Sequence, residues 1–230
     1  MAEAIIKSSP YAFLAFYSLY RQLSSKAVAN YSFRDICERL CPDINVAHDE
    51  KVSLFVTWNK MSKKTGQYQL RGCIGTFAKL PVGEGVERYA LVAALEDSRF
   101  PPIEESEIER LKCSCNILRN FETIFEGGEK PHGDITDWKV GTHGIELKFR
   151  DPSSGRARSA TFLPEVMPEQ KWDQQDTFIN LIEKAGCWAS VSKIMENPEK
   201  YFLEVIRYEA RKSEITYAEF QEGMDILQEK

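Results

Sequence analysis

Histidine is scarce in this chain: three in 230 residues, at positions 48, 132 and 143. No two cysteines stand at Cys-x-x-Cys spacing, and Cys37 and Cys41 have no second pair to complete a tetrahedral set. No metal is therefore assigned. Long apolar runs are also missing. None approaches the ~18 residues of a membrane span, and Met1 to Pro10 lacks the apolar centre of a secretory signal. The chain is read as cytoplasmic or nuclear, with no membrane association, and its six cysteines as free thiols. Positive charge is not in excess either: the net charge is −5 and the pI about 5.4. That argues against a strong general binder of nucleic acid, which carries a basic field. Only Lys148, Arg156 and Arg158 are placed to share a local basic surface. A phosphate-binding Gly-Lys-Ser/Thr is absent. Gly83-Glu84-Gly85 opens a helix, but Glu84 would repel an anion there. The cofactor stays unknown.

What the chain does have is an unusual strand, Leu70-Arg71-Gly72-Cys73-Ile74-Gly75-Thr76-Phe77. Glycine weakens a strand and signals a bulge or a close approach to the backbone. Side chains alternate, so Arg71, Cys73, Gly75 and Phe77 are expected on one face, with a bare patch at Gly75 beside the arginine and the thiol. That face reads equally as the floor of a small site or as a bulged core strand with a buried thiol.

Around this stretch the pattern mixes helices and strands. Ser9-Pro10 starts a helix carrying Phe13, Phe16, Tyr17, Tyr20 and Leu23 at helical spacing. Ser32 to Leu40 is a second helix, and Asp43 to Glu50 a loop. Lys51 to Trp58 alternates as a strand and forms an antiparallel hairpin with the glycine-bearing strand across Lys60 to Gly66. Gly83 to Asp97 is a helix with Val86, Ala90, Ala93 and Asp97 on one stripe. An acid on that side, at a helix C-terminus, is out of place electrostatically; it is either a site residue or the partner of Arg99. Ser106 to Glu109 has capping-box spacing. Leu111 to Leu118, Thr142 to Arg150 and Arg156 to Leu163 are strands, and Phe125 to Gly133 a glycine-rich loop. Asp173 to Ala185 and Ser190 to Asn197 are helices. Tyr201 to Arg207 is a strand, followed by a polar tail. Strict βαβ alternation is absent. The fold class is α+β: mixed, largely antiparallel sheet or sheets with flanking helices.

The glycine-bearing strand resembles the signature of the AMMECR domain family, named for the Alport syndrome, midface hypoplasia and elliptocytosis chromosomal region. So do Leu54-Phe55-Val56-Thr57-Trp58, Ala94 to Pro102, Val140 to Ile145, Ala160 to Val166 and Glu169 to Asp173. The resemblance covers about residues 9–220, and Gly127 to His132 looks like an insertion. It implies a single domain over 1–230 with a larger and a smaller subdomain, the larger built from both ends of the chain. It implies no particular reaction. In some prokaryotes the family is associated with Memo-like and radical-SAM proteins, which suggests a modification pathway with nucleic acid as one conceivable target.

Two function classes follow. One is a small-ligand-binding or regulatory protein, or an enzyme, with Cys73, His143 and Asp97 as hypothetical catalytic residues and Arg71, Gly72, Gly75, Ser98, Arg99 and Glu165 binding the ligand. The other is a non-catalytic protein-interaction module. The partner, whether small ligand or protein, is open. The first class predicts that the segments bearing Cys73, Asp97 and His143 meet around one cleft.

Overall fold

The computed structural model describes residues 10–25, 28–42 and 50–228. Ser9, His48 and nearly all of the loop expected over 43–50 lie outside them. The elements run, in chain order, α1 (Tyr11–Leu23), α2 (Phe33–Leu40), β1 (Lys51–Met61), β2 (Tyr68–Pro81), α3 (Val82–Leu95), a 3-10 turn (Glu105–Arg110), β3 (Leu111–Glu126), β4 (His132–Gly133), β5 (Gly144–Arg150), β6 (Ala157–Phe162), α4 (Val166–Gln170), α5 (Gln174–Lys184), a second 3-10 turn (Trp188–Ser190), α6 (Val191–Met195), α7 (Pro198–Tyr201), β7 (Phe202–Thr216) and α8 (Tyr217–Gln228). Helices flank an antiparallel sheet, so the class is α+β. No helix among the described residues is long and apolar enough to cross a membrane. The chain divides into two compact units, residues 1–117 with 211–230, and residues 118–210.

In the first unit α1 is apolar nearly all round. Tyr11 to Tyr17 and Leu19 are buried, as expected of a helix packed on several sides. Phe16 meets Trp58 of β1 edge-on at 5.3 Å and stacks on Phe220 of α8 at 4.7 Å. Each such burial contributes about 1.5–3 kcal/mol. The indole N–H of Trp58 donates to the Ala90 carbonyl of α3 at 2.9 Å, which keeps a fully buried polar group satisfied. α2 is capped by Ser32, whose side chain exchanges hydrogen bonds with Asp35. The expected polar tail is instead α8, with Phe220, Met224 and Leu227 buried in this core.

In the second unit the core is Ile145, Leu147 and Phe149 of β5, Val205 and Phe202 of β7, and Phe178, Leu181 and Ile182 of α5. α5 starts at an Asp173–Asp176 capping box. β5 begins at Gly144, two residues later than its pattern suggested. The strand expected over Leu111 to Leu118 continues to Glu126, and β4 pairs back onto it within what read as loop. Lys148 stands opposite Ser159, but Arg158 stands opposite Phe149 on the core side and pairs with Asp151. The expected shared basic surface is therefore not assembled.

Candidate functional site

β2 departs from simple alternation where the chemistry begins. Trp58 pairs with Gly72 and Asn59 with Leu70, so Arg71 is the extra residue of a bulge. Arg71 is 7 % exposed. It donates from Nε and Nη2 to the two carboxylate oxygens of Glu107, at 3.0 and 2.8 Å, and from Nη1 and Nη2 to the carbonyls of Pro101 and Pro102. Glu107 accepts further hydrogen bonds from Lys60 and from the Glu104 amide. Burial pushes the Glu107 carboxyl up, but the hydrogen bonds from Arg71 and Lys60 outweigh it and hold the pKa at about 2. Arg71 therefore braces the Pro101–Pro102 segment and is not presented to a ligand. Glu107 was not singled out from the sequence, because nothing local separates it from Glu104, Glu105 and Glu109. The capping box itself joins Glu104 and Glu107, not Ser106 and Glu109.

The two glycines are explained by close approach. A Cβ on Gly72 would lie 2.1 Å from the Ala93 carbonyl of α3. A Cβ on Gly75 would lie 2.2 Å from the Phe55 ring. Gly75 is thus no bare patch on the strand face: the ring of its cross-strand neighbour covers it, and Phe55 in turn meets Phe77 edge-on at 5.6 Å.

Cys73, Asp97 and Arg99 form one cluster. α3 ends at Leu95, so Asp97 lies beyond the helix rather than on its stripe. It is 5 % exposed, and both its oxygens are filled. Oδ1 accepts from the Arg99 amide and Nε at 3.2 and 2.9 Å. Oδ2 accepts from Arg99 Nη2 at 2.6 Å and from the Cys73 amide at 2.9 Å. Arg99 Nη2 also donates to the Cys73 carbonyl at 3.1 Å. The Arg99 side chain beside Asp97 holds its carboxyl well below the usual carboxylate range, and burial opposes this only in part. Asp97 is consequently an anchor, with no lone pair free to act as a base. Its local pairing with Arg99 and its contact with the signature strand are the same structure. Ser98 between them is exposed.

The Cys73 thiol is half-buried and accepts a hydrogen bond from the Thr57 hydroxyl at 3.1 Å. The other five cysteines are free and buried. Burial pushes Cys37, Cys41 and Cys115 up to about 12, 11 and 12, and pushes Cys113 well up too. The nucleophile is the thiolate. Iodoacetamide at pH 7.5 is therefore expected to alkylate Cys73 before Cys37, Cys41, Cys113 and Cys115, as read by peptide mass spectrometry over time. Labelling of Cys73 no faster than Cys115 would make it a core thiol.

His143 and Glu165 belong to the second unit. The Nδ1 of His143 accepts from the Lys139 amide at 3.0 Å, and the His143 amide returns to the Lys139 carbonyl. The proton of the neutral ring therefore sits on Nε2. Behind it, Gly144 lies under the Tyr208 ring, where a Cβ would be 2.3 Å away. Tyr208 is fully buried; its hydroxyl shares a hydrogen bond with Thr161 at 2.7 Å and donates to the Phe162 carbonyl at 3.0 Å. Burial pushes that phenol up, and the negative charges of Glu146 and Glu165 add to the effect. Tyr208 escaped the sequence reading because the strand was ended at Arg207. The second unit also holds a cavity of about 730 Å³, with Ile135, Val140, Phe178, Met195 and Pro198 along its walls and Lys139 and Asp173 among its polar lining. No group of three His, Cys, Asp or Glu side chains among the described residues is arranged to hold a metal ion.

Three comparisons place this chain among known proteins. A family model described as AMMECR1 matches residues 14–212. An uncharacterised protein of Saccharomyces cerevisiae is 57% identical over 224 residues, covering 94% of this chain and 89% of its own. One from Arabidopsis thaliana is 35% identical over 167 residues, covering 73% of this chain and 72% of its own. Among solved structures, an uncharacterised protein of Pyrococcus horikoshii matches over 89% of both chains with a TM-score of 0.60 and 24% identity, a likeness of fold.

Proposed function

The chain belongs to the AMMECR1 family, and from that premise we propose that it is a small-ligand-binding or regulatory protein of the cytoplasm or nucleus, whose site is the β2 segment around Cys73. The observation that carries this reading is Arg99. Its side chain is 54 % exposed, yet it is pinned through Nε and Nη2 on Asp97 and the Cys73 carbonyl. An exposed arginine held in one orientation beside a half-buried thiol is pre-organised for a ligand. The free thiols of all six cysteines suit a reducing compartment.

A metabolite panel should be screened by thermal shift, and hits mapped by amide chemical-shift changes. Perturbations are expected at Thr57, Cys73 to Thr76 and Arg99. Hits that map instead to the cavity lined by Lys139, Phe178 and Met195 would move the site to the second unit and overturn the reading.

An enzymatic reading has one specific support, the Thr57 hydroxyl that donates to the Cys73 sulfur and fixes its orientation. It is separated from plain binding by turnover that alkylation of Cys73 abolishes. Asp97 does not serve as the base in such a reaction, because both its oxygens are already filled.

A further inference from the structure

Cys73 stands opposite Thr57 in the β1–β2 ladder. Its amide donates to Asp97 and its carbonyl accepts from Arg99, so both backbone groups point away from β1. Antiparallel pairs alternate between those that exchange hydrogen bonds and those that do not. The register is unbroken from Thr57–Cys73 through Phe55–Gly75 to Leu54–Thr76. The amide and carbonyl of Gly75 therefore also point away from β1. β2 is the edge strand of the sheet, and neither group has a partner among the described residues.

Arg99 occupies the position just before this one. In a parallel ladder, the carbonyl of Cys73 and the amide of Gly75 would serve one residue of a further strand. Arg99 Nη2 fills the carbonyl half of that place. The amide half is open, and the Nη1 donors of Arg99 have no partner among the described residues. We infer that an oxyanion is bound here, accepting hydrogen bonds from the Gly75 amide and Arg99 Nη1 next to the Cys73 sulfur. This rests on the reading of the Cys73 segment as a ligand site and names the chemistry of that ligand: a carboxylate or a phosphate ester. Arginine and a backbone amide are both common donors to such groups. Asp97 balances the arginine from its far edge, so the cradle discriminates by geometry more than by net charge.

The test is a ¹H–¹⁵N titration of the full chain, with inorganic phosphate in one arm and acetate in the other, at constant ionic strength. Before any anion, hydrogen exchange should find the Cys73 and Ile74 amides protected and the Gly75 amide fast. Saturable movement of the Gly75 amide in either arm supports the inference, and the arm in which it occurs identifies the class. Arg99→Gln should weaken that binding at least about tenfold, the lower end for loss of a charge-assisted hydrogen bond. Arg99→Lys, which keeps the charge without the planar fork, should recover part of it. A Gly75 amide already protected without anion, no saturable movement in either arm, or unchanged affinity in folded Arg99→Gln would each overturn it. If a neutral metabolite from the panel perturbs Cys73 to Thr76 while neither anion does, the ligand site stands and the oxyanion inference falls. If hits map only to the second unit, the site reading itself fails.

Discussion

Glu107→Gln is expected to lower the unfolding free energy by about 3 kcal/mol, the low end for removing one partner of a buried ion pair. Arg71 and Glu107 have side chains only 8 and 11 % exposed. The variant leaves the guanidinium buried against the Pro101 and Pro102 carbonyls with no anion. Those carbonyls, and the half-exposed Lys60, keep the cost from reaching the top of the range. Guanidinium unfolding measures it, and a loss under 1 kcal/mol would show that Arg71 is not braced by this pair. The same carboxylate gives the protein an acid limb. Its folded pKa of about 2 lies below its ordinary 4.5. A depressed carboxylate stabilises the fold above the unfolded pKa, and that contribution is lost as pH falls through the folded one. The wild-type melting temperature should therefore fall between pH 4.5 and 2 more steeply than that of Glu107→Gln. Asp97, also depressed, adds a loss of the same sign from about pH 3.9 downward in both proteins.

How far these residues could be read in advance depended on the range of the interaction. The hairpin of β1 and β2 was legible because Val52, Leu54, Val56 and Trp58 alternate against a charged turn. The Asp97–Arg99 pair was legible because it is made two residues apart. The glycines of β2 announced that something approaches the backbone, but not what. Ala93 and Phe55 are distant in sequence, and no residue type marks them as the approaching groups. The bulge at Arg71 had no signal of its own. One extra residue was enough to send Arg71 to Glu107 while Cys73 kept to the face shared with Thr57. At the C-terminus, Phe220, Met224 and Leu227 do recur at i, i+4 and i+7. Gly223 and the polar side chains of Gln221, Glu222 and Asp225 between them dilute that stripe, so it reads as a polar tail. Burial, not composition, decides the point: all three are in the core.

Gly72→Ala is expected to be severely destabilising, costing about 3 kcal/mol, the upper end for overpacking. The added carbon would sit 2.1 Å from the Ala93 carbonyl oxygen and 3.2 Å from its carbon. Both are backbone atoms of α3, so no side chain can turn aside to make room. Gly85→Ala is the control. There the nearest atom is the Leu54 Cδ2 at 2.8 Å, the end of a side chain, and alanine gains about 1 kcal/mol of helix propensity over glycine. That variant should be close to neutral. The contrast reaches the site, because the Asp97 Cβ lies 4.0 Å from the same added carbon. Forcing the end of α3 off β2 should draw the Asp97 carboxylate away from the Cys73 amide. Hydrogen exchange would then show the Cys73 amide losing protection in Gly72→Ala and keeping it in Gly85→Ala. Equal stability of the two variants, or a Cys73 amide still protected in Gly72→Ala, would mean that the helix end and the signature strand are not held in register by this contact.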